Sequence, residues 1–201
     1  MKKVLLATRN KDKVKEIRQL LKNLDLEIFT VADFPNMPEV IEDQDTISGN
    51  AIKKAQECAE FSRLASIADD TGLFVESLDG EPGVFSARFA GKNCSYKDNR
   101  EKMLRLMKGK KERMAEFRTV VAFATPDGVV ETLNGNVQGK ITKREFGENG
   151  FGYDAIFRAN KTGKTFGEMT RAEKEKISHR ARALKKLFPI LENYLKSDRK
   201  M

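Results

Sequence analysis

Asp69 and Asp70 stand side by side in IADDTGL (67–73), and adjacent carboxylates behind an apolar run can hold a divalent cation through oxygen or take a proton from water. Alternation along a strand sends neighbours to opposite faces, so one of the pair is expected to face a ligand while the other is tied up structurally. The plain alternative is an Asx turn or a cap. Glu42 or Glu39 could complete a metal site, since both lie in a block from Asp25 to Asp45 that contains no Lys or Arg. In TRNKDK (8–13), the residues Thr8, Arg9, Asn10, Lys11, Asp12 and Lys13 form a strand-to-helix turn. Backbone N–H groups at the helix start, side-chain donors from Thr8 and Asn10 and the point charge of Lys13 suit a phosphate. An N-cap followed by a solvated lysine fits the same letters, and the G-x-x-x-x-G-K-[ST] loop is absent. SHRARAL holds the chain's one histidine, His179; with Ser178 and Arg180 it offers donors for the carbonyl oxygens of a base, although a lone histidine can equally be a packing residue. In GENGFGYDAIF (147–157), Gly147, Gly150 and Gly152 permit a turn or a close approach, with Phe151, Tyr153 and Asp154 planted among them. A tight loop entering a buried strand is expected there, Phe151 and Tyr153 on one face and Asp154 on the other.

These residues need elements to position them. KVLLAT (3–8) reads as a short buried strand, and from Lys11 the apolar positions Val14, Ile17, Leu20 and Leu21 switch to helical spacing. Ile47, Ala51, Ala55, Cys58 and Ala59 mark a second helix, followed by LASIAD (64–69), a strand expected to end in the acids. Ser95 and Asp98 form a capping-box start for a third helix, and TVVAFATPDGVVETL (119–133) is a hairpin. Ile177, Ala181, Leu184, Phe188, Leu191 and Leu195 mark a C-terminal amphipathic helix that Pro189 is expected to kink or restart. Strands and helices alternate early and a hairpin comes late, which predicts an α/β fold with a mixed sheet.

With 201 residues, 39% hydrophobic and 34% charged, the chain can bury a real core, and residues 1–201 are expected to form a single domain of two lobes. No apolar run approaches the roughly 20 residues that span a bilayer and the N-terminus turns polar too early for a signal peptide, so the expected compartment is the cytoplasm, without membrane partners. Cys58 and Cys94 have no partnering Cys or His cluster, which argues against a disulfide framework or a zinc site. A net charge of +8 suits small anions or nucleic acid. Positive charge collects in 97–118 and 174–186, but 97–111 lacks the interleaved aromatics of a nucleic-acid surface.

Taken in order, ATRNKDKVKEI, ADDTGLFVESLDGEPGVFSARFAG, GENGFGYDAIF and KISHRARALKKL resemble the Ham1-type inosine/xanthosine triphosphate pyrophosphatases over nearly the whole chain. The resemblance implies a long twisted mixed central sheet flanked by helices, two lobes with a cleft between them, and a homodimer. It also implies Mg²⁺-dependent hydrolysis of ITP, XTP and dITP to the monophosphate and pyrophosphate, a housecleaning role in nucleotide metabolism with no nucleic-acid partner. By matching position, Thr8, Asn10 and Lys13 would cradle the triphosphate, with Lys54 adding charge. Asp70 would act as metal ligand and base, Asp69 would support it, and Thr71 would contact substrate. Phe151 and Tyr153 would lie along the base with Gly152 between them, Asp154 would fix that loop, and Lys174, His179 and Arg180 would read the purine's oxygen edge. The chain departs from the family at Gly49, where an acid is common; Glu42 or Glu39 must then suffice for the metal. A nucleotide sensor without turnover is the alternative that Gly49 suggests, and the retained Asp69, Asp70 and Lys13 argue against it.

Overall fold

Val4, Leu5 and Leu6 are all fully buried, as an interior parallel strand covered on both faces requires. The computed structural model describes residues 1–196. Its elements are β1 (Lys2–Leu6), α1 (Lys11–Leu21), β2 (Leu26–Thr30), α2 (Ile47–Ser62), β3 (Ala65–Val75), β4 (Pro82–Gly83), α3 (Tyr96–Leu106), β5 (Met114–Thr125), β6 (Gly128–Ile141), β7 (Phe157–Ala159), α4 (Arg171–Ile177) and α5 (His179–Lys196). The strands form one seven-stranded sheet in the order β2-β1-β3-β5-β6-β7, with β4 paired to β3. β1 runs parallel to β2 and β3, whereas β4 is antiparallel to β3 and β7 to β6. The mixed α/β sheet is therefore as expected, and no helix among the described residues is long and apolar enough to cross a membrane.

The chain packs as two compact units. The first comprises Met1–Asp70, Thr119–Gly135 and the described residues from Arg180 onward. Here alternation divides the sheet cleanly: Val4, Leu6, Ile67, Val121 and Phe123 pack against Ile17 and Leu21 of α1 and Leu184, Leu187 and Leu191 of α5. The opposite face, Leu5, Ala68, Val120, Ala122 and Ala124, meets Ala51, Ala55, Cys58 and Ala59 of α2. The second unit, Thr71–Arg118 and Asn136–His179, buries Leu73, Val75, Phe117, Val137, Ile141 and Phe157 with Met103 of α3 and Met107, which caps its C-terminus.

Local capping explains where the helices start. Asn10 caps α1, its Oδ1 accepting from the N–H groups of Asp12 (2.9 Å) and Lys13 (3.3 Å). Thr46 Oγ1 does the same for Gly49 N at 2.9 Å ahead of α2, and Ser95 with Asp98 forms the expected capping box of α3.

Three expectations are corrected. β3 does not end at Asp69 and Asp70 but runs on to Val75, because Leu73 and Val75 supply a further buried apolar stretch beyond the acids. Residues Asp154–Ile156 form a 3-10 turn and the strand begins only at Phe157, since the Asp154 carboxylate folds back onto Phe151 N at 2.8 Å. The C-terminal apolar series is interrupted at Ser178, which takes extended backbone (ψ 152), and Pro189, expected to kink or restart the helix, does not restart it but lies inside α5. Proline in a helix interior costs about 3 kcal/mol. Burial of Leu184, Leu187 and Leu191, at about 1.5–3 kcal/mol each, outweighs it.

Candidate active site

The two acids of β3 use its alternation as a sorting device. Asp69 follows Ile67 onto the face covered by α1 and α5, and Asp70 follows Ala68 onto the face covered by α2. Asp69 is fully buried; its Oδ2 accepts from Arg180 Nε (3.1 Å) and Nη2 (2.9 Å) and lies 3.2 Å from Lys13 Nζ. Arg180 is itself held by Glu16. Burial opposes ionisation of Asp69, but Arg180, Lys13 and Lys54 overcome it and hold its pKa well below the carboxylate range. Asp69 is thus a fixed anion that aligns cations.

Asp70 differs in kind. Its Oδ1 is 3.3 Å from Lys54 Nζ and its Oδ2 3.4 Å from Asn50 Nδ2. Burial, only partly offset by Lys54 and Lys13 and reinforced by Glu42 and Asp69, raises its pKa. A carboxylate so placed is a better proton acceptor than a free one. Lys54 Nζ joins the set together: it donates to Glu42 Oε1 at 2.6 Å and to the Asp69 carbonyl at 2.9 Å. Burial lowers the pKa of both lysines; at Lys54 the charges of Asp70, Glu42 and Asp69 reverse the shift, whereas at Lys13 burial prevails. Lys13 Nζ also donates to the Asp69 carbonyl at 3.2 Å.

Asp70 and Glu42 therefore already share one cation, the Lys54 ammonium, and four carboxylates (Asp69, Asp70, Glu42, Glu16) face three cations (Lys13, Lys54, Arg180). Carboxylate oxygens with a surplus negative charge fit a hard divalent ion, which is commonly held by one or two carboxylates plus substrate phosphates. Glu39 is not brought to this set; it is exposed, and no group of three or more candidate ligands forms among the described residues. Gly49 leaves no room for the missing acid, because a Cβ there would lie 2.8 Å from Gln44 Cβ.

The phosphate turn is more structural than its letters imply. Asn10 Oδ1 is used as the cap, Thr8 Oγ1 accepts from Asn10 N at 3.2 Å, and Arg9 Nη2 donates to the Met37 carbonyl at 2.8 Å. Lys11 is exposed and Asp12 pairs loosely with Lys15 at 3.9 Å. Lys13 alone reaches the acids.

In the second unit, Asp154 Oδ2 accepts from Lys174 Nζ (2.6 Å) as well as Phe151 N. Gly150 has φ +75 and a Cβ would stand 2.0 Å from that carboxylate oxygen, so the close approach its glycine permits is to Asp154. Phe151 is half-buried, 5.0 Å below Lys174 Nζ and 5.7 Å from the Tyr96 ring. Tyr153, expected along a base, is instead a core residue: its ring is buried and its hydroxyl donates to the Ser86 carbonyl at 2.9 Å. Gly152 takes φ +59, and its carbonyl accepts from Arg100 Nη1 at 3.1 Å. His179 is buried and stacks on Phe117 at 4.5 Å and 19°. Thr71, half-buried, follows Asp70 on β3. Arg180, grouped with His179 by sequence, is committed to Asp69 and Glu16.

Sequence reasoning missed Glu16, Asn50 and Phe117. Glu16 had a signal, its place three residues after Lys13 on the same helix face. Phe117 had none.

A mixed α/β sheet carries, on one strand, two buried carboxylates interlocked with lysines and an arginine, an arrangement found in a recognised family of proteins. The chain belongs to the Ham1 family, whose model matches residues 4–190. It is 45% identical over 191 residues to a dITP/XTP pyrophosphatase of Desulforamulus reducens, covering 94% of this chain and 95% of the relative. It is 42% identical over 194 residues to the dITP/XTP pyrophosphatase of Bacillus subtilis, covering 96% and 98%. Its fold superposes on the Staphylococcus aureus Ham1 protein with a TM-score of 0.86 at 35% identity, over 96% of this chain and all of that one.

Proposed function

We propose that this protein is a Mg²⁺-dependent pyrophosphatase that hydrolyses ITP, dITP and XTP to the monophosphate and pyrophosphate. The observation that carries the reading is the Lys13–Asp69 and Glu42–Lys54–Asp70 set, in which a carboxylate of raised pKa stands among cations suited to a triphosphate. Asp70 takes a proton from the attacking water as its oxygen bonds to the α-phosphorus. The bond to the bridging oxygen breaks and pyrophosphate leaves with the electron pair, its charge met by Lys13 and Lys54. Asp69, held by Arg180, keeps Lys13 in place. Asp70 and Glu42 are the residues that would hold Mg²⁺, which supplies charge neutralisation and a more acidic water. On the base side, Phe151 offers its ring, and a donor from His179 favours a 6-oxo over a 6-amino group. A site of this kind rejects the wrong group by about 10⁴-fold when its buried donors would be left unpaired. The family relationship further supports a cytoplasmic homodimer, with the free nucleotide as substrate.

The test is pyrophosphate release with Mg²⁺ from ITP, XTP, dITP, GTP and ATP, on wild type and Asp70→Asn. Release from the first three, little from the last two, and its loss in the variant is the expected outcome. Binding of ITP without release by the wild type would sink the enzyme reading, and equal cleavage of ATP would remove the base-selection role.

A further inference from the structure

The second unit carries a basic pocket that the proposed reaction does not use. Its volume is about 660 Å³, within the range of small-ligand sites. Lys111, Lys140, Lys143, Arg144 and Arg158 line it around Phe146, and Glu112 is the one carboxylate in the lining. Among the described residues no carboxylate lies within 4.0 Å of any of those five cations, and the acidic influence on them is the more distant charge of Glu168 near Arg158.

Register makes the arrangement costly without an anion. Lys140 on β6 lies directly opposite Arg158 on β7, and like charges so placed repel. Arg158 Nε is buried with no hydrogen-bond partner among the described residues, a polar group that ordinarily finds one. The guanidiniums of Arg144 and Arg158 sit 4.8 and 5.1 Å from the Phe146 ring centroid, which fixes both forks beside the pocket. Arg113 spends its own on the carbonyls of Met107 (2.5 Å), Ile141 (2.6 Å) and Thr142 (2.7 Å), tying the wall together.

We propose that this pocket is a second anion site, which binds an oligophosphate chain supplied by inorganic polyphosphate or by a nucleotide. Paired guanidiniums and lysines read phosphate oxygens. Phe146 is already engaged by two guanidiniums, so the lining has no ring left on which successive bases of a nucleic acid would stack.

The test is calorimetric titration of the full chain, in EDTA and low salt, with tripolyphosphate, ATP and a single-stranded RNA. Lys13→Ala serves as background to weaken the catalytic phosphate cradle. There, Lys140→Gln with Arg158→Gln is expected to weaken tripolyphosphate binding at least about tenfold. In the Lys13-containing protein the same pair leaves ITP turnover within about twofold, and its melting temperature is no lower than wild type, since a repulsion has been removed. Lys143→Gln, at an exposed position, repeats the binding test should the pair misfold. ATP binding as tightly as tripolyphosphate assigns the site to nucleotides, and tripolyphosphate alone to inorganic chains; both support it. Unchanged affinity in the variants, dissociation constants weaker than about 1 mM throughout, or RNA binding tighter than tripolyphosphate overturns the proposal.

Discussion

Asp69 and Asp70 are joined by one peptide bond and meet opposite electrostatic surroundings. Asp69 gains more from Arg180, Lys13 and Lys54 than burial takes away, and Asp70 does not recover its desolvation. Asp69→Asn removes the buried anion beside Lys13 and leaves Arg180 with Glu16 alone, and should cost about 3–5 kcal/mol in urea unfolding. Asp70→Asn should unfold at the same or higher urea while pyrophosphate release falls by about 10²–10⁴-fold. Acid follows the same logic: a depressed native pKa means that the stabilisation from Asp69 is complete above about pH 4, where an unfolded aspartate is ionised. It is lost as the pH falls further, through the native pKa. Unfolding midpoints measured against pH should therefore drop more steeply in wild type than in Asp69→Asn; parallel curves would contradict the assignment.

At the scale of elements, the loop of Gly150 and Gly152 separates two uses of glycine. Both have positive φ, but a Cβ at Gly150 meets Asp154 Oδ2 at 2.0 Å whereas at Gly152 it meets open space. Gly152→Ala should cost about 1 kcal/mol from backbone strain alone. Gly150→Ala must also dislodge Asp154 from Lys174 and Phe151 N, and should cost about 3 kcal/mol or more and raise the KM for ITP. Thermal denaturation and steady-state kinetics on the two variants distinguish them, and equal effects would refute the contact. In α5, Pro189 supplies no N–H to the helix ladder, in a helix already anchored by buried leucines. Pro189→Ala should raise stability by about 1–3 kcal/mol, read as a later urea midpoint with unchanged turnover.

For the whole molecule, a net charge of +8 predicts that association with polyphosphate anions is assisted at long range. Raising NaCl from about 0.05 to 0.5 M should therefore lower kcat/KM for ITP severalfold, while urea stability changes little. What the sequence determined by itself is local: the β1–turn–α1 start, the cap at Asn10, the capping box at Ser95, the hairpin near Pro126 and the alternation that separates Asp69 from Asp70. Each depends on residues a few positions apart, so periodicity and caps suffice to read it. The family followed from four such motifs in order. Tertiary structure decided what the motif residues touch. Arg180 reaches Asp69 across 111 positions and Glu16 across 164, which removes it from its sequence neighbour His179. Tyr153 is drawn into the core by the Ser86 carbonyl, and β3 continues past its acids because distant side chains bury Leu73 and Val75. Spacing along a chain fixes which face a side chain takes; only packing fixes what covers that face, and the partner there sets the charge state and the role.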